Sequence, residues 1–216
     1  MNFEVTDTVI FDLDGTLIDS APVVADVLND MRKQLGQSSL ELDFYRKRIS
    51  RGAAELVSAA LDVELANVDT YVSEFRLRYR QIPTPLSCLY PGVLDTITFL
   101  SGQGIKLGLC SNKPEYLCRK IIAETGLDKM LDVIVGGDTL PVSKPFREPI
   151  DYVIQQLGSL PECTVMVGDS TVDQQAAAAS NIPFIFFSKG YDDGVDPTKA
   201  LHVIDQIPQL LGLNKL

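Results

Sequence analysis

The sequence predicts an α/β protein: a doubly wound, Rossmann-like parallel sheet carrying a helical cap inserted after the first strand. Three observations predict it. From about residue 85 onward, short apolar runs alternate with segments of helical periodicity, the pattern of strand and crossover helix. One further apolar run, Thr8 to Phe11, stands alone near the N-terminus. Between them, residues 40 to 82 read as helix without a convincing strand. The core is therefore expected in two pieces, 1–18 and 85–216, with the cap at 19–84.

Taken in order, Thr8-Val-Ile-Phe11 is short and fully apolar in its centre, as a buried parallel strand should be. Asp14-Gly15 then marks a turn. A helix should begin near Ser20, with Pro22 in its first turn and Val24, Val27, Leu28, Met31 and Leu35 as its apolar stripe; Gly36 is a suitable stop. After Pro83 and Pro85, strands are expected at Ile105 to Cys110, Val133 to Val135, Thr164 to Val167 and Pro183 to Phe187. Helices are expected near 91–102, 114–125, 147–158 and 171–180.

Composition narrows the function. The chain has 216 residues, enough for one substantial core and a small second module, and is 45% hydrophobic and 22% charged. Its net charge of −10 disfavours nucleic acid and anionic membrane as partners. Apolar runs such as Ile182 to Phe187 are far shorter than the roughly 20 residues of a membrane span. Glu4 and Asp7 lead straight into a strand-like run, so no signal peptide is expected and the cytoplasm is the expected compartment. The four cysteines, Cys88, Cys110, Cys118 and Cys163, have no metal-site or redox spacing. None has an arginine six residues on, as a cysteine phosphatase requires, and the single histidine, His202, reads as structural. No phosphate-binding P-loop or dinucleotide fingerprint occurs.

Polar clusters fall at or just beyond expected strand ends: Asp12-Leu-Asp14-Gly15-Thr16, Ser111-Asn112-Lys113, Lys144-Pro145 and Gly168-Asp169-Ser170-Thr-Val-Asp173. Parallel packing would bring them to one edge of the sheet, where ligands of such folds bind. Each cluster alone suits a turn or a helix cap, but turns and caps do not call for carboxylates, a hydroxyl and a lysine in this order. Phosphomonoester hydrolysis does. Two anions must meet there, so their charge has to be cancelled locally. Magnesium held by Asp12 and Asp169 would do this, since it favours hard oxygen donors. Ser111, with Asn112 beside it, and Lys144 would hold the phosphate. Asp12 can then act as nucleophile and Asp14 as general acid and base.

These motifs resemble the haloacid dehalogenase-like hydrolase superfamily, whose first motif is D-x-D-G-T/V, here Asp12 to Thr16. Ser111 matches the second motif, Lys144 the third, and Gly168 to Asp173 the G-D-S-x-x-D form of the fourth. The resemblance implies magnesium on the side chains of Asp12 and Asp169 and the backbone oxygen of Asp14, with Asp173 supporting the site from behind. The inserted helices and Tyr90-Pro91-Gly92-Val93 look like the phosphoglycolate phosphatase-like branch. That implies a small phosphorylated metabolite as substrate, and makes Arg48 or Arg51, near a turn in the cap, a candidate substrate contact. One departure is Arg147, where the branch often has proline. A phosphosugar mutase would use the same nucleophile, and a non-catalytic phosphoryl-ligand switch would share the acidic residues and the lysine.

Overall fold

Strand β1 (Thr8–Phe11) lies at the centre of a parallel sheet, with β2 (Lys106–Cys110) on one side and β4 (Thr164–Gly168) on the other. The structure is a computed structural model that describes residues 6–213; Glu4 and the outermost parts of the expected core segments lie outside the described residues. Beyond β2 comes β3 (Val133–Val135), and beyond β4 come β5 (Phe184–Phe187) and β6 (His202–Ile204), giving the order β3-β2-β1-β4-β5-β6. All pairs are parallel, so every strand ends at the same rim. The chain moves outward from β1 through β2 and β3, then returns to the far side of β1. The topological switch therefore falls between β1 and β4, the place where ligands of open α/β sheets sit.

Alternation along the strands builds two cores. Val9 and Phe11 face one side of the sheet and Ile10 the other, each inside its own apolar cluster. Helices α5 (Val93–Gly102) and α6 (Glu115–Thr125) supply the first cluster, and α7 (Glu148–Gln156) and α8 (Thr171–Ala179) the second. The sixth strand was not expected. It has three residues, with half-buried His202 and exposed Val203 before buried Ile204, too short for a period-two signal.

Between β1 and β2 are α1 (Ala21–Gln34), α2 (Leu42–Ile49), α3 (Ala53–Leu61) and α4 (Asp69–Gln81). Helix α1 starts with Pro22 in its first turn and buries Val24, Val27, Leu28 and Met31. That stripe packs on α2, α3 and α4, so α1 is the spine of the cap. The two chain connections between cap and core run side by side. Ile18 bridges Leu89 in antiparallel fashion, with Asp19 N donating to Cys88 O at 2.8 Å and Tyr90 N to Leu17 O at 3.0 Å. The first apolar cluster continues from the sheet into the cap without a break.

Candidate active site

The rim of the sheet gathers the polar residues that follow β1, β2 and β4. Asp12 leaves β1 directly, and its backbone N–H still donates to Val167 O on β4 at 3.0 Å. The next turn brings Asp14 back over the rim. Gly15 makes this turn possible: its φ is +89°, and a Cβ there would collide with the Asp169 carboxylate and the Tyr191 ring. Asp169 follows β4, and α8 begins with Ser170 and Asp173 in a capping box. Asp173 Oδ2 accepts from Ser170 N at 3.1 Å and from Ser170 Oγ at 2.6 Å.

Lys144 reaches this group from the loop between β3 and α7, its side chain 1% exposed. Its Nζ donates to Asp12 Oδ1 at 2.7 Å and to Asp173 Oδ1 at 2.6 Å. Burial opposes its charge, but the two carboxylates outweigh that and hold it protonated beyond the ordinary lysine range. Burial pushes Asp12 up to about 7, with Lys144 pulling down and Asp173 pushing up. Asp169 is also raised well above the usual carboxylate value, first by burial and then by the charges of Asp173 and Asp12. It accepts from Thr16 Oγ1 at 3.0 Å and from Tyr191 N at 2.6 Å.

A second lysine, Lys113, holds Asp14. Its Nζ lies 2.9 and 2.8 Å from the two carboxylate oxygens, and Ser20 Oγ donates to the same group. Burial works against the Lys113 charge, and Asp14 more than restores it. Lys113 Nζ also lies 4.8 Å from the ring centroid of Tyr79 on α4, so the cap covers this pair. Ser111 is buried at the end of β2. Asn112 Nδ2 donates to Lys144 O at 3.0 Å and to Ser50 O of the cap at 3.3 Å, while its Oδ1 is buried without a partner.

The residue types suit a divalent cation. Asp12, Asp169 and Asp173 are buried and each offers an oxygen within 4.8 Å of the others. Asp173 already has both oxygens engaged, by Lys144 and Ser170. With Asp14 added, four buried carboxylates face two lysines. If all are ionised, two negative charges are left over, which one divalent ion would balance.

The structure thus brings Asp12, Asp14, Ser111, Asn112, Lys144, Asp169 and Asp173 to one rim, and a small cavity touches Asp12, Asp14, Ser111, Asn112 and Lys144. Arg48 and Arg51 are not among the residues lining it. Arg48 donates to Phe44 O at 3.0 Å and lies over the Phe44 ring, and Arg51 is 3.8 Å from Asp193. Both line an outer cleft with Lys47, Asp192 and Asp193. Arg147 turns outward to Asp151 at 2.6 Å. Sequence reasoning missed the Lys113–Asp14 pair, although Lys113 stands beside Asn112, and missed Tyr191, which has no motif. The Tyr191 hydroxyl donates to Asp19 Oδ1 at 3.0 Å and accepts from Ala21 N at 2.9 Å, joining the acidic site to the start of α1.

Residues 9–187 match the model of the haloacid dehalogenase-like hydrolase family. The chain is 36% identical over 212 residues to the phosphoglycolate phosphatase of Pseudomonas putida (strain KT2440), covering 94% of this chain and 78% of that protein. It is 36% identical over 225 residues to the phosphoglycolate phosphatase of Chromobacterium violaceum, covering 100% and 99%. A crystal structure of a predicted phosphoglycolate phosphatase from Haemophilus somnus 129pt superposes with a TM-score of 0.83 at 25% identity, covering 98% of each chain.

Proposed function

The chain belongs to the haloacid dehalogenase-like hydrolase family, and we propose that it hydrolyses a small phosphomonoester such as phosphoglycolate through an aspartyl-phosphate on Asp12. It is a phosphatase of small phosphate esters; the substrate, the ion and the residue roles are the proposal. The observation that supports it best is the Lys144 ammonium set between Asp12 and Asp173, with Asp169 beside them. That arrangement sets an ammonium suited to a phosphoryl group and carboxylates suited to a cation at one nucleophile.

Magnesium, when bound by the carboxylates of Asp12 and Asp169 with the Asp14 backbone oxygen, would neutralise phosphate charge so that two anions can meet. The other roles belong to the chain. Lys144 and Ser111 hold the phosphoryl oxygens, and Asn112 fixes the Lys144 loop through its carbonyl. An Asp12 oxygen forms a bond to phosphorus as the ester oxygen leaves with the proton of Asp14. Water then attacks phosphorus, Asp14 takes its proton, and the Asp12–phosphorus bond breaks to give inorganic phosphate. Lys113 neutralises the Asp14 carboxylate between these steps. Asp173 acts by positioning Lys144. No helix is long and apolar enough to cross a membrane among the described residues. A small phosphorylated metabolite, as for the phosphoglycolate phosphatase relatives, is the proposed partner, and the cytoplasm the proposed setting.

The test is a panel of phosphate esters assayed for phosphate release, in magnesium and in EDTA. Release should need the metal and should fall at least about 10⁴-fold in Asp12→Asn, with the fold kept. Turnover surviving in that variant would remove Asp12 from its role, and sugar-phosphate isomerisation without release would identify a mutase.

A further inference from the structure

Resting on the phosphatase reading above, we infer that Arg76 determines substrate choice, binding a carboxylate on the leaving group of a short-chain acid ester of phosphate. The inference begins with the pattern on α4. Val72, Phe75 and Tyr79 are its buried residues. Arg76 stands four residues after Val72 and three before Tyr79, so an arginine occupies the inward stripe of a cap helix. Its neighbours on the helix behave differently. Arg78 bonds Glu74 and Asp30 at the surface, and Arg80 lies over the exposed Tyr116 ring.

Arg76 is half-buried and makes no ion pair with a described residue, and its Nε is buried with no hydrogen-bond partner. A guanidinium cannot shed its charge, and a buried donor without an acceptor is costly. The group faces a pocket between cap and core whose other polar lining is Asp14, Tyr79, Asn112 and Lys113. Lys113 is already paired with Asp14. Arg76 is thus the cation of that pocket left for a ligand, and its planar fork fits a carboxylate. The remaining walls include Val24, Ile49, Leu56, Phe75 and Leu117, a low-polarity surround that strengthens a charged hydrogen bond.

Position and size define the ligand further. This pocket and the cavity at Asp12 share Asp14, Ile49, Asn112 and Lys113. A phosphoryl group at Asp12 would therefore extend its ester oxygen past Asp14, the proposed proton donor, into the pocket of Arg76. The pocket leaves about 40 Å³ for the centres of water-sized groups, where one water needs roughly 10–15 Å³. A chain of a few heavy atoms ending in an anion fits. The hydroxyls of a sugar or nucleoside would meet mostly apolar walls there.

The test compares phosphoglycolate with hydroxyethyl phosphate, the same chain with a hydroxymethyl group in place of the carboxylate. It uses wild type, Arg76→Met and Arg76→Lys in magnesium, with melting curves to confirm folding. Wild type should favour the acid, and Arg76→Met should lose about 10- to 100-fold in kcat/KM for it but less than about 3-fold for the neutral ester. Arg76→Lys should fall between. Equal losses on both esters, or an unchanged preference in either variant, would overturn the inference. So would a wild type that turns over both esters alike, which leaves the phosphatase reading standing. Release from neither ester by wild type would also overturn the inference, while the wider panel of esters decides the phosphatase reading separately.

Discussion

The sheet rim and the cap pocket hold their cations in opposite ways. At the rim each lysine has its carboxylate: Lys144 lies on Asp12 and Asp173, and Lys113 on Asp14. In the pocket one wall away, Arg76 Nε has no partner. Asp12, Ser111 and Asp169 follow strands whose register is fixed by parallel pairing, so their spacing is set by the sheet, and Lys144 joins them from the loop after β3. Pocket residues come from α1, α2, α3 and α4 as well as the core. The difference teaches a division of labour. The chemistry is carried by groups the sheet positions, and the leaving group is chosen by groups the cap brings.

That comparison can be broken first at Lys144. Lys144→Met would leave Asp12 and Asp173 buried beside each other without their ammonium. The loss should be about 3–5 kcal/mol in denaturant unfolding without metal, and magnesium should recover part of it. An unchanged midpoint would mean that the rim charges are not coupled as the distances imply.

Acidity offers a second, smaller lever. Asp12 is raised from 3.8 in the unfolded chain to about 7 in the metal-free fold, so the fold favours its protonated form. That contribution is whole below pH 3.8 and is lost as pH rises through about 7. The metal-free protein should therefore melt at a lower temperature at about pH 8 than at about pH 5. Saturating magnesium should shrink or reverse the drop, because the cation needs the ionised carboxylates. Identical pH profiles with and without magnesium would contradict a cation site at Asp12.

The smallest effect sharpens the boundary of the cap pocket. Arg51 is 51% exposed and 3.8 Å from Asp193, whose carboxylate is already held by Thr171, and a long ion pair with one solvated partner is worth about 0–1 kcal/mol. Arg51→Ala and Arg48→Ala should each change kcat/KM for phosphoglycolate less than about 3-fold, a small surface effect. A loss as large as that of Arg76→Met would move the specificity contact to the loop between α2 and α3.

Much of the rim was legible in the sequence because its signals are local. Thr8–Phe11 carries its burial in its composition, and Asp12-Leu-Asp14-Gly15 packs the turn and two carboxylates into four residues. What stayed hidden depends on long-range packing. Lys113 and Asp14 are 99 residues apart in the chain, and no local rule pairs them. Tyr191 reaches α1 across 170 residues. Arg76 did leave a trace, an arginine in the apolar stripe of α4, but a helix with several arginines reads first as solvated. The strand His202–Ile204 is too short to announce itself.

The measurement that bears most directly on the chemistry is an acid-quenched single turnover with phosphate-labelled substrate and magnesium, followed by peptide mapping. The account predicts the label on the peptide containing Asp12, lost in Asp12→Asn. A phosphoryl group trapped on any other side chain would contradict it.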